Sequence, residues 1–286
     1  MQAELLVFNN TILGEGPVWD HRNRMLYWVD ITRGHLQAYD YLSGSNEVFE
    51  MGEYVGAAVP TTDQEKLVVA LQNSIVLFDS TTRQKELLCE PEPGNMINRF
   101  NDGKCDSAGR FWIGSTQINH KDPTGVLYCV DASFKYQSKL HNLLISNGIA
   151  WSLDNKTMYF IDSPTYKVQE FDYDVDTGNI RYRQDALQFD EDHGVPDGMC
   201  IDAHGNLWIA FYGGGRVACY DPRTGEQLDE ISVPAKNTTS CCFGGPDLNV
   251  LFVTSAKRDD PQGGGLYCCR PGVNGPPANF FGVTSS

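Results

Sequence analysis

The stretch Val195-Pro196-Asp197-Gly198-Met199-Cys200-Ile201-Asp202-Ala203-His204-Gly205-Asn206-Leu207-Trp208-Ile209-Ala210 reads as two short strands joined by a turn. Met199 to Ile201 is apolar, Asp202 to Asn206 carries turn chemistry, and Leu207 to Ala210 is β-prone again. The same pattern recurs along the chain. Asn101-Asp102-Gly103-Lys104-Cys105-Asp106-Ser107-Ala108-Gly109-Arg110-Phe111-Trp112-Ile113-Gly114 repeats it closely. Asn147-Gly148-Ile149-Ala150-Trp151-Ser152 with Met158 to Asp162 is a further copy, as is Glu15-Gly16-Pro17-Val18-Trp19-Asp20 with Leu26 to Asp30. Gly56 to Pro60 with Leu67 to Ala70, and Thr239 to Phe243 with Val250 to Thr254, are fainter copies. Their spacing of about 40 to 50 residues is the interval of a four-stranded propeller blade. The sequence therefore predicts an all-β fold, a six-bladed β-propeller of four-stranded antiparallel blades, as one domain over residues 1–286.

The segments between copies supply the remaining strands. His35 to Asp40, Val168 to Asp174 and Arg216 to Asp221 alternate, end in Asp and run into Gly-containing turns. No helical periodicity lasts beyond a turn or two. Gln184 to Asp192 reads as the longest polar connection, and Asn274-Gly275-Pro276-Pro277 as coil. Glu4 to Phe8 and Gly265 to Cys269 are apolar strands at the two ends of the chain. Placed in one blade, they close the ring and remove open sheet edges.

Registering the copies exposes a site. Five residues before the turn-opening positions Asp20, Thr61, Asp106, Ser152, Asp202 and Gly244 stand Glu15, Gly56, Asn101, Asn147, Asp197 and Thr239. Equivalent positions of successive blades share radius and height around the axis, so these residues converge on one channel mouth. One Asn-Gly or Asp-Gly pair is an ordinary hairpin turn. Glu, Asn, Asn and Asp in a single register are more than that. An oxygen-donor ring without Cys or His suits a hard or borderline divalent cation.

Composition narrows the partners. The net charge of −15 weighs against nucleic acid, whose phosphates reward basic surfaces. No apolar run approaches a membrane span, and Met1 to Asn10 lacks the charged and apolar regions of a signal peptide. The nine cysteines are odd in number and contain no CxxC pair, which predicts buried thiols in a reducing, cytoplasmic setting. A monomer or weak homo-oligomer is expected, without nucleic-acid or membrane partners.

Gly14-Glu15-Gly16-Pro17-Val18-Trp19, Arg99-Phe100-Asn101-Asp102-Gly103-Lys104, Ser146-Asn147-Gly148-Ile149-Ala150-Trp151-Ser152 and Pro196-Asp197-Gly198-Met199 resemble the gluconolactonase, regucalcin and luciferin-regenerating-enzyme family. Gly213-Gly214-Gly215-Arg216-Val217 and Thr239 to Gly245 fit its pattern too, so the resemblance spans nearly the whole chain. It implies a lactonase acting on a small sugar lactone of the aldonolactone type, with one divalent metal ion as cofactor: calcium, zinc, magnesium, manganese or iron(II). It places the metal ligands on Glu15, Asn147 and Asp197, Asn101 beside the metal on the substrate side, and Arg99 against substrate hydroxyls. Where regucalcin-like members hold the sugar with a Glu, this chain reads Ser115-Thr116-Gln117-Ile118-Asn119-His120. Asn119 is nearest that position and becomes the substrate-binding candidate, with His120 the alternative.

The implied chemistry is polarisation of the lactone carbonyl and attack by water, with Asp197 as general base as well as ligand. Two other readings share the fold: a metal-dependent esterase or phosphotriesterase, and a calcium-binding propeller without catalysis. His193 and Tyr166 are weaker candidates for the mouth. Trp19, Trp112, Trp151 and Trp208 read as packing between blades.

Overall fold

The computed structural model describes residues 1–282. Its strands form six four-stranded antiparallel sheets, and five of them are consecutive runs of chain. The innermost strands are Gly14–Asp20, Ala57–Pro60, Asn98–Cys105, Ser146–Trp151, Val195–Ile201 and Thr238–Gly244. Each touches the next, and the last touches the first, so the six sheets close into a propeller. The sixth blade takes Thr238–Gly244, Val250–Ser255 and Gly265–Cys269 from one end of the chain and Glu4–Phe8 from the other. Glu4–Phe8 pairs antiparallel with Gly265–Cys269, which is the closure the terminal strands foretold.

The repeated Asp-to-Trp spacing has a structural cause. Asp106 accepts backbone N–H bonds from Ala108 (3.0 Å) and Arg110 (2.9 Å) with Oδ1, closing its turn. Its other oxygen takes the Trp112 indole N–H at 2.8 Å. Asp202 does the same for His204, Asn206 and Trp208. One carboxylate thus fixes a turn and orients an aromatic ring that is then buried between blades. Trp19, Trp112 and Trp208 are at most 1% exposed and Trp151 is 7% exposed, so all four are packing residues.

One connection differs from its sequence reading. The polar stretch from Gln184 continues the outer strand Asn179–Gln188, and a one-turn 3-10 helix, Glu191–His193, follows. An outermost strand has solvent on its free side, so its side chains need no apolar alternation and its sequence carries a faint β signal. The nine cysteines are free, six of them buried. Among the described residues no helix is long and apolar enough to cross a membrane.

Candidate active site

The four polar ring positions share a backbone irregularity. Inner-strand pairing loses register between Glu15 and Val18, Phe100 and Gly103, Ser146 and Ile149, and Pro196 and Met199. A bulge leaves residues unpaired and bends the strand, turning side chains out of the sheet's alternation. Glu15, Asn101, Asn147 and Asp197 lie at or within these four interruptions. The second blade has no such shift and carries Gly56, where an added Cβ would come within 2.6 Å of the Phe100 carbonyl carbon. In the sixth, Thr239 is already committed, with its hydroxyl bonded to Gly14 O at 2.5 Å and Thr254 Oγ1 at 2.9 Å. Four of the six ring positions therefore keep side chains free to face the channel mouth.

These side chains floor a cleft of about 480 Å³, which Arg99, Ser163, His120, Tyr212 and Arg258 also line. Asn119 lies outside that lining. It is exposed, and its Oδ1 accepts the Lys121 N–H at 3.2 Å. His120, the next residue and also exposed, lines the cleft. His193 sits on the exposed 3-10 turn, and Tyr166 packs against the apolar cluster around Phe189 and Phe211.

A hydrogen-bond chain crosses three blades and fixes the amides. Arg99 Nη1 donates to Asn101 Oδ1 at 2.6 Å and to Phe100 O at 3.0 Å. Asn101 Nδ2 donates to Ser146 O (2.8 Å) and Asn147 Oδ1 (3.1 Å). Asn147 Nδ2 donates to Ser163 Oγ at 2.8 Å, and Ser163 gives its own proton to Pro196 O at 2.7 Å. Because the Ser163 hydroxyl is spent as a donor on Pro196, it can only accept from Asn147. The Asn147 amide then has one orientation, with its oxygen on the Asn101 side.

The electrostatics are unbalanced. Glu15, Asp102 and Asp197 are all buried. Burial lifts the Glu15 and Asp197 carboxyls well above the usual carboxylate range, and the Asp102 charge adds to this for both. Asp102 is itself raised by burial. Glu15 and Asp197 form a buried like-charge pair that disfavours double ionisation. Arg99, equally buried, falls to about 10 by desolvation, against which the Glu15 charge works. Asp197 Oδ1 is buried in the cleft with no hydrogen-bond partner, an expensive arrangement that a cation would relieve, whereas the unpartnered Asp102 Oδ2 lies outside the cleft lining and feels the Lys104 charge. Among the described residues no three His, Cys, Asp or Glu side chains form a metal-holding group. The donor set that fits an ion is two carboxylates, Glu15 and Asp197, completed by the Asn147 amide oxygen, all hard oxygens.

Residues 13–257 match the SMP-30/gluconolactonase/LRE-like region. The chain belongs to this family. Regucalcin of Xenopus laevis is 36% identical over 280 residues, covering 93% of each protein. The putative sugar lactone lactonase YvrE of Bacillus subtilis is 33% identical over 291 residues, covering 99% of each. The crystal structure of a calcium-binding protein, regucalcin from Agrobacterium tumefaciens, superposes with a TM-score of 0.93 at 28% identity, over 99% of this chain and 98% of that one.

Sequence reasoning missed Asp102, Ser163, Tyr212 and Arg258. Asp102 had a signal, since it directly follows a ring residue in a strand whose pairing breaks there. Ser163 opens the 3-10 turn Ser163–Thr165, and nothing in Asp162-Ser163-Pro164 announces a bond to a neighbouring blade.

Proposed function

We propose that this family member is a divalent-metal-dependent hydrolase that opens a sugar-acid lactone, with Glu15, Asn147 and Asp197 holding the ion. The observation that carries the reading is the unpartnered Asp197 Oδ1, buried against Glu15 in a cleft where the Asn147 amide is already pinned. A bound divalent ion would supply Lewis-acid polarisation of the lactone carbonyl. The chain's own groups do the rest. Arg99 spends only Nη1 on internal bonds, leaving its other N–H groups for substrate hydroxyls. Asn101, held between Arg99 and Asn147, sets the height of that guanidinium. A carboxylate oxygen of Asp197 takes the proton of the attacking water and returns it to the ring oxygen as the acyl C–O bond breaks. Nine free thiols suit a reducing compartment, and we place the protein in the cytoplasm.

The polar cleft favours a hydroxyl-rich ester over the aryl ester or phosphotriester of the competing readings. Rates on a sugar lactone, an aryl acetate and a phosphotriester, measured with the same metal-loaded protein, separate them. The lactone is expected to be faster in kcat/KM by roughly a hundredfold or more, the scale set by buried polar groups left unpaired by the wrong substrate. A faster aryl ester or phosphotriester, or no turnover of any of the three, contradicts the reading.

Ser163 tests the pinned amide. Ser163→Ala frees Asn147 to rotate, and affinity for a divalent ion is expected to drop about tenfold, as for other residues that orient a metal ligand. Calorimetric titration of wild type and variant with Mn²⁺ checks this. Equal affinities would show that the chain from Asn147 to Pro196 does not orient the ligand.

A further inference from the structure

Resting on the lactonase reading, we infer that the lactone this cleft takes carries a free carboxylate remote from its ring ester, and that Arg258 binds it. The third and sixth blades stand opposite each other in the ring of six. The loop after Phe111–Gln117 brings His120 to the cleft, and the loop after Val250–Ser255 brings Arg258. Both side chains line the same cleft from opposite blades.

Arg258 is exposed on its loop, and the neighbouring Asp259 is the nearest acid in the chain, without a close ion pair to it. Asn237 Nδ2 holds the Arg258 backbone carbonyl at 3.0 Å, and Tyr212 lines the same cleft. Among the described residues no carboxylate lies within 4.0 Å of that guanidinium. Apart from Glu15 and Asp197 on the floor, no acidic side chain lines the cleft. In a chain of net charge −15, the cleft lining balances two carboxylates, Glu15 and Asp197, with two arginines, Arg99 and Arg258.

His120 adds no negative charge either. Thr116 Oγ1 gives its proton to Leu144 O at 2.6 Å, so its 3.2 Å contact with His120 must be a bond donated by Nδ1–H. Nε2 is then left as an acceptor. Although His120 is exposed overall, partial desolvation of its ring and the two arginine charges hold the imidazole down, so it is neutral near pH 7. It reads a sugar hydroxyl, not an anion. A neutral sugar lactone would use the floor, Arg99 and His120, and leave the charge of the exposed Arg258 to solvent. A lactone with a carboxylate at its far end pairs that charge by a charge-assisted hydrogen bond, bidentate where geometry allows.

The test uses a matched pair, D-glucono-1,4-lactone and D-glucaro-1,4-lactone, which differ in carrying a hydroxymethyl or a carboxylate at C6. With metal-loaded protein the carboxylate-bearing lactone is expected to have the higher kcat/KM, and added salt is expected to shrink the difference. Arg258→Gln is expected to lower the ratio of the two constants roughly ten- to a hundredfold, the worth of a hydrogen bond to a charged group. A thermal melt shows that the variant is folded. Hydrolysis of both lactones with the neutral one preferred, or with a ratio that Arg258→Gln does not move, overturns the inference and leaves the lactonase reading standing. Failure to hydrolyse either lactone with any ion overturns both.

Discussion

Asp197→Asn is expected to lower lactone turnover by roughly a thousandfold or more, the combined scale of a lost general base and lost electrostatic stabilisation. The same change is expected to make the metal-stripped protein more stable. Both effects have one cause. Asp197 is buried opposite Glu15, near Asp102, and its Oδ1 has no partner. Without an ion this arrangement costs stability, because burial and like charge both oppose ionisation. An amide of the same shape removes one charge from the cluster, a gain on the order of 1 kcal/mol or more, by analogy with the replacement of other buried charges. It also removes the oxygen that binds and exchanges a proton. Melting curves of chelated wild type and variant, with lactone kinetics alongside, read both effects. A variant that melts lower when stripped and still turns over at the wild-type rate would contradict the assignment. Such opposition of stability and activity is what a strained functional site produces.

Arg99→Lys is expected to reduce kcat/KM roughly ten- to a hundredfold, the range for hydrogen bonds to a charged group, and to change metal affinity much less. Positive charge is retained, so a simple ion-pair role would survive the change. What is lost is the planar fork. Arg99 Nη1 serves both Phe100 O and Asn101 Oδ1 while its remaining N–H groups stay available to the cleft. A lysine ammonium has three donors on a flexible stem and cannot hold Asn101 and present a fixed edge to a sugar together. Steady-state kinetics and a metal titration on the same preparation separate the two outcomes. Unchanged kinetics would remove Arg99 from substrate binding.

Much of this architecture was legible in the repeats. A turn Asp that returns at a fixed distance before a β-prone run, as Asp106 and Asp202 do, is local chemistry and therefore visible in one dimension. Counting from those turns met Glu15, Asn101, Asn147 and Asp197. Three of their inner hairpins close on Cys105–Phe111, Trp151–Met158 and Ile201–Leu207, and the equivalent pair Trp19–Leu26 in the first is followed by one more, Asp20–Met25, so the counted register is the spatial one. The outer strand Asn179–Gln188 was misread past Gln184 because its solvated side chains have no reason to alternate. Ser163 and Arg258 were invisible because their roles depend on partners in other blades. Spacing along the third-blade loop favoured Asn119, but His120 takes a positive φ of 54° at the bend and it is His120, not Asn119, that lines the cleft. One residue of loop curvature decided that, and sequence spacing does not encode it.

Proton release from a sugar lactone, followed first with chelator-stripped protein and then after refilling with calcium, zinc, magnesium, manganese or iron(II) singly, tests the central claim most directly. Negligible release from stripped wild type, restoration by at least one ion, and no restoration in Asp197→Ala with any of them are expected. Full activity in the stripped protein, or restoration in Asp197→Ala equal to that of the wild type, would contradict it.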